Sequence, residues 1–346
     1  MSSAQTPLRV LAVGAGYFSQ YHYQAWHNVT GAQCVGIVDH DIDKARDVAA
    51  RWGIAQVYQS IEPALAALQV DLVDLIVPPQ SQRELVSQCL ANHLPMICQK
   101  PFGVDLADAI AMTEAAERAA VTLVIHENFR WQAWYREAKR LINLGTLGSL
   151  HSVAFRLRPG DGQGPRAYLD RQPYFQTMPR LLVVETAIHW IDTFRFLLGD
   201  VNAVYAQLRT INPVIKGEDA GYILFEFDGG STGLFDGNRL NDHVATNPRR
   251  TMGEMWLEGS HGVLRLDGDA RLWWKPHQAA EQEHTFDRGA DDSFGGGACE
   301  ALQSHVVKHF TDGAALENTA RAYLSNLTIQ EAVYRSHALR RRIELS

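Results

Sequence analysis

Two short stretches of this chain hold side chains whose placement asks for a chemical reason. In MICQKPFG, residues 96–103, Met96, Ile97 and Cys98 read as a buried strand that runs straight into Gln99, Lys100 and Pro101. A lysine at the end of a core strand is costly unless its charge is used; the plainer alternative is an ammonium that snorkels to the surface. In PRLLVVETAIHWIDTFRFLLGD, residues 179–200, a helical reading puts Glu185, His189 and Asp192 at i, i+4 and i+7 on one face, among neighbours that are apolar nearly all round. An imidazole flanked by carboxylates is held in one tautomer and serves as a general base near neutral pH, the alternative being a satisfied core histidine. Carboxylate and imidazole one turn apart also suit zinc, but no further His or Cys partner is evident, and no metal is expected.

A third group lies near the start. The apolar strand LRVLAV ends in Gly14, Ala15, Gly16, Tyr17, Phe18 and Ser19, and a helix follows. Glycines there allow a tight turn and close backbone approach to a pyrophosphate held at the helix N-terminus, although Ser19 stands where a third glycine is usual. The next strand, CVGIVD, ends in Asp39, about twenty residues after Ser19, where a carboxylate accepts hydrogen bonds from the ribose hydroxyls of NAD. Asp39 alternatively caps the helix beginning near Asp41. Together the signals point to a nicotinamide dinucleotide, NAD in preference to NADP, with Gly14, Gly16, Tyr17, Phe18 and Asp39 as binding residues. In an open parallel sheet, ligands collect at the carboxyl ends of the strands, so Pro78 and the Gln99–Lys100 pair, which end two further strands, belong to the same candidate set.

These residues need elements to hold them. Through residue 126, continuous apolar strands (LRVLAV, CVGIVD, DLVDLIV, PMICQ, TLVIH) alternate with helices, the pattern of a doubly wound parallel sheet covered on both faces. FRWQAWYREAKRLINLG reads as one more helix. Beyond it SVAFRLRP, VNAVYAQLRT, GYILFEF, STGLFDG, EMWLEG, GVLRLDG and RLWWKP alternate in and out, with turn residues between them, as an open, largely antiparallel sheet. Helical stretches near 180–198 and 316–335 complete an α+β domain. The reading is therefore two domains, 1–126 and 127–346, with a cleft expected between them. The chain length of 346 residues suits that count.

Composition narrows the partners. The net charge of -7, from 32 basic and 39 acidic residues, argues against a nucleic-acid partner held by bulk charge. No stretch of 18 apolar residues and no leader pattern is present, and the four cysteines are scattered. The expectation is a cytoplasmic protein with reduced thiols and no membrane span.

In this order and spacing, AVGAGYFSQYH, VDLVDLIVPP, QKP, ENFRW and ETAIHWID resemble the Gfo/Idh/MocA oxidoreductases, the group of glucose-fructose oxidoreductase and inositol dehydrogenase. The resemblance implies a Rossmann domain followed by an open-faced sheet domain that assembles into a dimer or tetramer. It implies NAD(P)-dependent oxidation or reduction of a sugar, polyol or sugar acid. It carries Lys100 over as a catalytic or substrate-orienting lysine and His189 as the proton-transferring histidine, with Glu185 where an aspartate is usual. Two further departures stand out: Gln99 replaces a glutamate beside Lys100, and Gln82 stands where the family has a histidine near the cofactor.

Candidate substrate contacts are Asn128, Arg130 and Trp131, then Arg156, Arg158 and Tyr168, then Asn238, Arg239 and His243, with Asp192 of the late helix. Arginine grips a carboxylate bidentately, so this density tilts the expectation toward a sugar acid, although a surface ion pair is the ordinary role of any single arginine. The leading expectation is an NAD-dependent dehydrogenase of a hydroxyl on a sugar acid, sugar or polyol. The alternatives are an oxidoisomerase that retains its NAD and a non-catalytic NAD-binding regulator.

Overall fold

The computed structural model describes residues 6–345. The chain divides into two compact units, one of residues 1–128 with 299–325 and the other of residues 129–298 with 326–346.

In the first unit six strands form one sheet: β1 (Leu8–Val13), β2 (Ala32–Val38), β3 (Val57–Tyr58), β4 (Leu72–Leu75), β5 (Met96–Gln99) and β6 (Leu123–His126). Their order is β3-β2-β1-β4-β5-β6, every pairing parallel. This is the doubly wound order, with its switch point between β1 and β4. β4, β5 and β6 are buried along their whole length, as helices on both faces require. Those helices are α1 (Ser19–Asn28), α2 (Ile42–Trp52), α3 (Ile61–Ala67), α4 (Pro79–Ala91) and α5 (Leu106–Arg118). Local chemistry starts them: Asp41 accepts from Lys44 N–H ahead of α2, Asp105 accepts from Asp108 N–H ahead of α5, and Pro79 opens α4.

A division at 126 would leave everything later in the second domain, yet residues 299–325 return to the first unit. Asn318 stitches this segment to the last strand: its carbonyl accepts from Ile125 N–H and its side-chain amide donates to the Glu127 carbonyl. The helix Ala298–Asp312 itself is absent from the sequence reading.

The second unit is built on a nine-stranded sheet of β7 (Leu150–Leu157), β8 (Val201–Arg209), β9 (Ala220–Phe227), β10 (Thr232–Asn238), β11 (Gly253–Gly259), β12 (Gly262–Leu266), β13 (Leu272–Pro276), β14 (Gln282–His284) and β15 (Ile343–Glu344). The order is β14-β13-β12-β11-β7-β10-β9-β8-β15, antiparallel throughout except for the parallel β7–β10 pair. One face packs on α7 (Ile188–Leu198) through residues such as Phe155, Phe225 and Phe235, which reach Trp190 and Phe194, and α7 in turn packs on α6 (Ala133–Asn143). The other leaves Tyr222 and Leu224 exposed on β9. The stretch expected as one helix from Phe129 is a 3₁₀ turn, Phe129–Trp131, followed by α6.

Among the described residues no helix is long and apolar enough to cross a membrane. All four cysteines are free thiols.

Candidate active site

The loop after β1 has the geometry its glycines suggest. Gly14 sits at φ +119°, and a Cβ built there would run into the Ile76 carbonyl at the end of β4, so only glycine fits the switch point. At Gly16 a Cβ would meet nothing within 4 Å, which leaves open space beside the turn. Ser19 closes the turn instead of a third glycine, its hydroxyl donating to the Gly16 carbonyl at 2.7 Å. No side chain caps the start of α1 and no acidic residue lies in its first turn. An exposed glycine turn running into such a helix start suits a pyrophosphate. Tyr17 is exposed and Phe18 half-buried beside it.

Asp39 ends β2 with Oδ2 accepting the Ala15 N–H at 2.6 Å and Oδ1 accepting the Asp41 N–H at 2.8 Å. It therefore shapes the glycine turn. The groups present fit NAD: Gly14, Gly16 and the α1 N-terminus would hold the pyrophosphate, and Asp39, as an acceptor, would take the ribose hydroxyls.

At the ends of β4 and β5 the two glutamines hold the backbone. Gln82 is fully buried. Its amide donates to the carbonyls of Gln99 (2.8 Å) and Pro101 (2.9 Å) and accepts from Gly103 N–H (2.8 Å). Expected as a cofactor contact, it is instead wholly occupied in tying the strand ends together. Gln99 is likewise buried, its Oε1 accepting the Lys100 N–H at 2.7 Å and its amide nitrogen 2.9 Å from Nε2 of His22. The Lys100–Pro101 peptide is cis. Lys100 is half-buried beyond β5, and Pro78 is exposed at the start of α4.

In the second unit, the single regular helix expected through Glu185, His189 and Asp192 is two segments. Residues Leu182–Ala187 form a π-helical turn, and α7 begins at Ile188. The wider turn changes the register between Glu185 and the other two, so only His189 and Asp192 keep α-helical spacing. Glu185 is half-buried on the turn, close enough to the Tyr174 phenol that, after burial, its charge helps push that phenol up to about 12. His189 is buried and stacks face to face on Phe129, with ring centroids 3.8 Å apart. Phe129 escaped the sequence reading although it lies inside ENFRW, because a phenylalanine in an apolar run carries no sign that it supports an imidazole.

The expected substrate contacts resolve into internal pairs. Arg130 grips Asp192 bidentately, at 2.7 and 2.6 Å, and Asn326 donates to the same carboxylate. Arg158 bonds Asp236 at 2.6 Å, with Arg156 at 3.6 Å from it. Arg239 is almost wholly buried between Asp161 and Thr186, its guanidinium over the rings of Tyr168 and Phe175. Burial alone would push Asp161 up, but Arg239 and Arg171 outweigh it and hold its carboxyl below the usual range. Trp131 is buried under Arg136. The side chain of Asn238 accepts from Leu240 N–H and Asn241 N–H, and Nδ1 of His243 lies 2.7 Å from the Arg158 carbonyl. In the first unit Asn128 donates to Cys299 Sγ. What the fold does bring together is the loop of residues 158–178, the π-turn and the end of β10, joined through Asp161, Arg239 and Thr186.

Comparison with known proteins agrees with this anatomy. Residues 8–127 match the family model described as an oxidoreductase family with an NAD-binding Rossmann fold, and residues 135–265 match the GFO/IDH/MocA C-terminal domain. A D-apiose dehydrogenase of Paraburkholderia graminis is 32% identical over 96% of this chain and 88% of its own length. Another, from Rhizobium rhizogenes, is 34% identical over 77% of this chain and 75% of its own. A crystal structure of an oxidoreductase from Agrobacterium radiobacter in complex with NAD+, L-tartaric acid and magnesium superposes with a TM-score of 0.88 at 29% identity, covering 98% of both chains. With both domain models matched and full-length likeness above 30%, the chain belongs to the Gfo/Idh/MocA family of NAD-binding oxidoreductases.

Proposed function

We propose that this enzyme, an NAD-dependent dehydrogenase acting on CH–OH groups, oxidises a neutral sugar, of which D-apiose is the first candidate. The observation that carries the choice of a neutral substrate is the pairing of the arginines. Arg130, Arg158 and Arg239, which pointed toward a sugar acid, each have an internal carboxylate in Asp192, Asp236 or Asp161. A guanidinium whose fork is already filled has little left for a substrate carboxylate. The likeness to D-apiose dehydrogenases over most of the chain supports the same reading.

When bound, NAD supplies the hydride acceptor. The family resemblance carries His189 over as the proton-transferring histidine and Lys100 as a catalytic or substrate-orienting lysine. In the reading proposed here His189 accepts the hydroxyl proton, Glu185 orients its ring and Lys100 stabilises the oxyanion. Hydroxyl groups of a neutral sugar need short polar partners, which Asn128, Tyr168, Asn238 and His243 supply only in part, since each side chain has an internal contact.

A second reading is a small hydroxy acid, favoured by the L-tartaric acid in the structure of the Agrobacterium radiobacter relative. A panel of D-apiose, other aldoses, polyols, aldonates and tartrate, assayed with NAD for both NADH and product, decides. Turnover confined to the acids defeats the neutral-sugar reading. Product without net NADH identifies an oxidoisomerase, and cofactor binding without turnover identifies a regulator.

A further inference from the structure

Behind β5 lies a set of buried polar groups that the functional reading does not use. His22 of α1 and Asp74 of β4 are both fully buried. Nδ1 of His22 lies 2.8 Å from Oδ2 of Asp74, and the Trp26 indole N–H donates to the same oxygen at 2.7 Å. On the far side of the ring, Nε2 lies 2.9 Å from the Gln99 amide nitrogen. Oε1 of Gln99 in turn accepts the Lys100 backbone N–H at 2.7 Å.

The donors and acceptors run in one direction. An ionised carboxylate only accepts, so Nδ1 of His22 carries the hydrogen. The neutral ring then has one acceptor, Nε2, and the Gln99 amide must turn its NH2 group toward it. That orientation leaves Oε1 for Lys100. The carbonyl of the same Gln99–Lys100 peptide accepts from the Gln82 amide, so Gln99 Oε1 and Gln82 hold its two ends.

We propose that His22 is a positioning residue for Lys100: Asp74, His22 and Gln99 form a one-way hydrogen-bond relay that ends on the Lys100 backbone amide and holds only while His22 is neutral. Its consequence for turnover rests on the reading of Lys100 as a catalytic group. A protonated His22 carries hydrogen on both nitrogens. Gln99 would then have to turn over to accept, leaving its NH2 group facing the Lys100 N–H, donor against donor. A glutamate at position 99 accepts from an imidazolium and from Lys100 N–H at once. Position 99 therefore sets the protonation state of His22.

The other groups facing His22 do not disturb this logic. His126 of β6 stacks on it at 3.9 Å between centroids, and burial, with His22 beside it, keeps His126 neutral. Phe18 meets the ring edge-on, Trp26 is uncharged, and Gln303 reaches only the His22 carbonyl. Among the described residues, Asp74 is the carboxylate that bonds the ring.

The test is side-chain ¹⁵N NMR of the histidines in the full chain, wild type against Gln99→Glu, between about pH 6 and 8 where histidine ordinarily titrates. The wild type should show His22 as the neutral Nδ1–H tautomer, and Gln99→Glu should show it as imidazolium. The same protonation in both proteins overturns the proposal. His22→Phe should lower kcat by roughly tenfold to hundredfold, as a displaced catalytic group does, with NAD affinity kept. Retained kcat in a folded His22→Phe also overturns it; if that variant does not fold, the NMR comparison decides, since it leaves His22 in place. Lys100→Met separates the two layers. Unchanged turnover in Lys100→Met removes the catalytic assignment of Lys100, whereas the His22 signal in Gln99→Glu is read without substrate and answers for the relay alone.

Discussion

Phe129 lies flat against His189, with ring centroids 3.8 Å apart and planes 3° from parallel. Trp190 meets Phe129 edge-on at 5.2 Å, a second aromatic contact on the phenyl ring. A stacked imidazole keeps its plane while its nitrogens remain at the ring edge, which is what proton transfer needs. His189→Ala should lower kcat by about 10² to 10⁴, the range for loss of a general base, with NAD affinity nearly kept. Phe129→Leu, which removes the flat support but not the base, should show a smaller loss in kcat. Steady-state kinetics with a cofactor titration checks both; a His189→Ala enzyme of normal kcat would make this a packing histidine.

Asp39 holds the Ala15 N–H and stands at the end of β2. Its charge should repel the 2′-phosphate of NADP, so NAD should bind tighter by roughly tenfold or more, at about 1.4 kcal/mol per decade. Asp39→Ala should narrow that gap and weaken NAD itself, because the glycine turn loses an acceptor. Fluorescence titration of both cofactors measures it. Equal affinities in the wild type would take Asp39 out of ribose recognition and leave it with the turn.

Arg239 depends on Asp161 for its charge balance, and both side chains are buried or nearly so. Asp161→Asn leaves an uncompensated guanidinium inside the second unit and should destabilise it by roughly 3–5 kcal/mol. Urea unfolding followed by circular dichroism reads the change. A loss below about 1 kcal/mol, the worth of an exposed pair, would mean that solvent reaches Arg239 after all.

His126 is fully buried, and neither ring nitrogen finds a hydrogen-bond partner among the described residues. Burial first, then the neighbouring His22, lowers its pKa well below the ordinary 6.5. Between the lowered folded value and about 6.5, the unfolded chain binds a proton that the folded chain refuses. Stability should therefore be fully present above about pH 6.5 and fall as the pH drops below it, by up to about 1.4 kcal/mol per unit from this one group. His126→Leu should flatten that slope. Urea midpoints at several pH values between 4 and 7 test it, and an unchanged slope in the variant would assign the acid sensitivity elsewhere.

Much of this molecule was readable in one dimension because its signals are local. Continuous apolar strands separated by helices require a covered parallel sheet, and Gly14 marks its switch point through a constraint that belongs to a single residue. Alternation in GYILFEF likewise shows a strand with one buried face. Other features depend on partners far along the chain. The arginines looked like substrate ligands until Asp192, Asp236 and Asp161 were seen beside them, because charge pairing across a fold leaves no mark at either position. The return of residues 299–325 to the first unit is carried by Asn318 on Ile125 and Glu127, nearly two hundred residues apart. The π-turn before α7 shifts Glu185 relative to His189 while leaving the apolar pattern intact. Gln99 shows the division most plainly: its departure from the family's glutamate is visible in QKP, but only packing reveals that its side chain serves His22 and the Lys100 backbone. A side chain's type is local information; its partner is set by how distant elements pack.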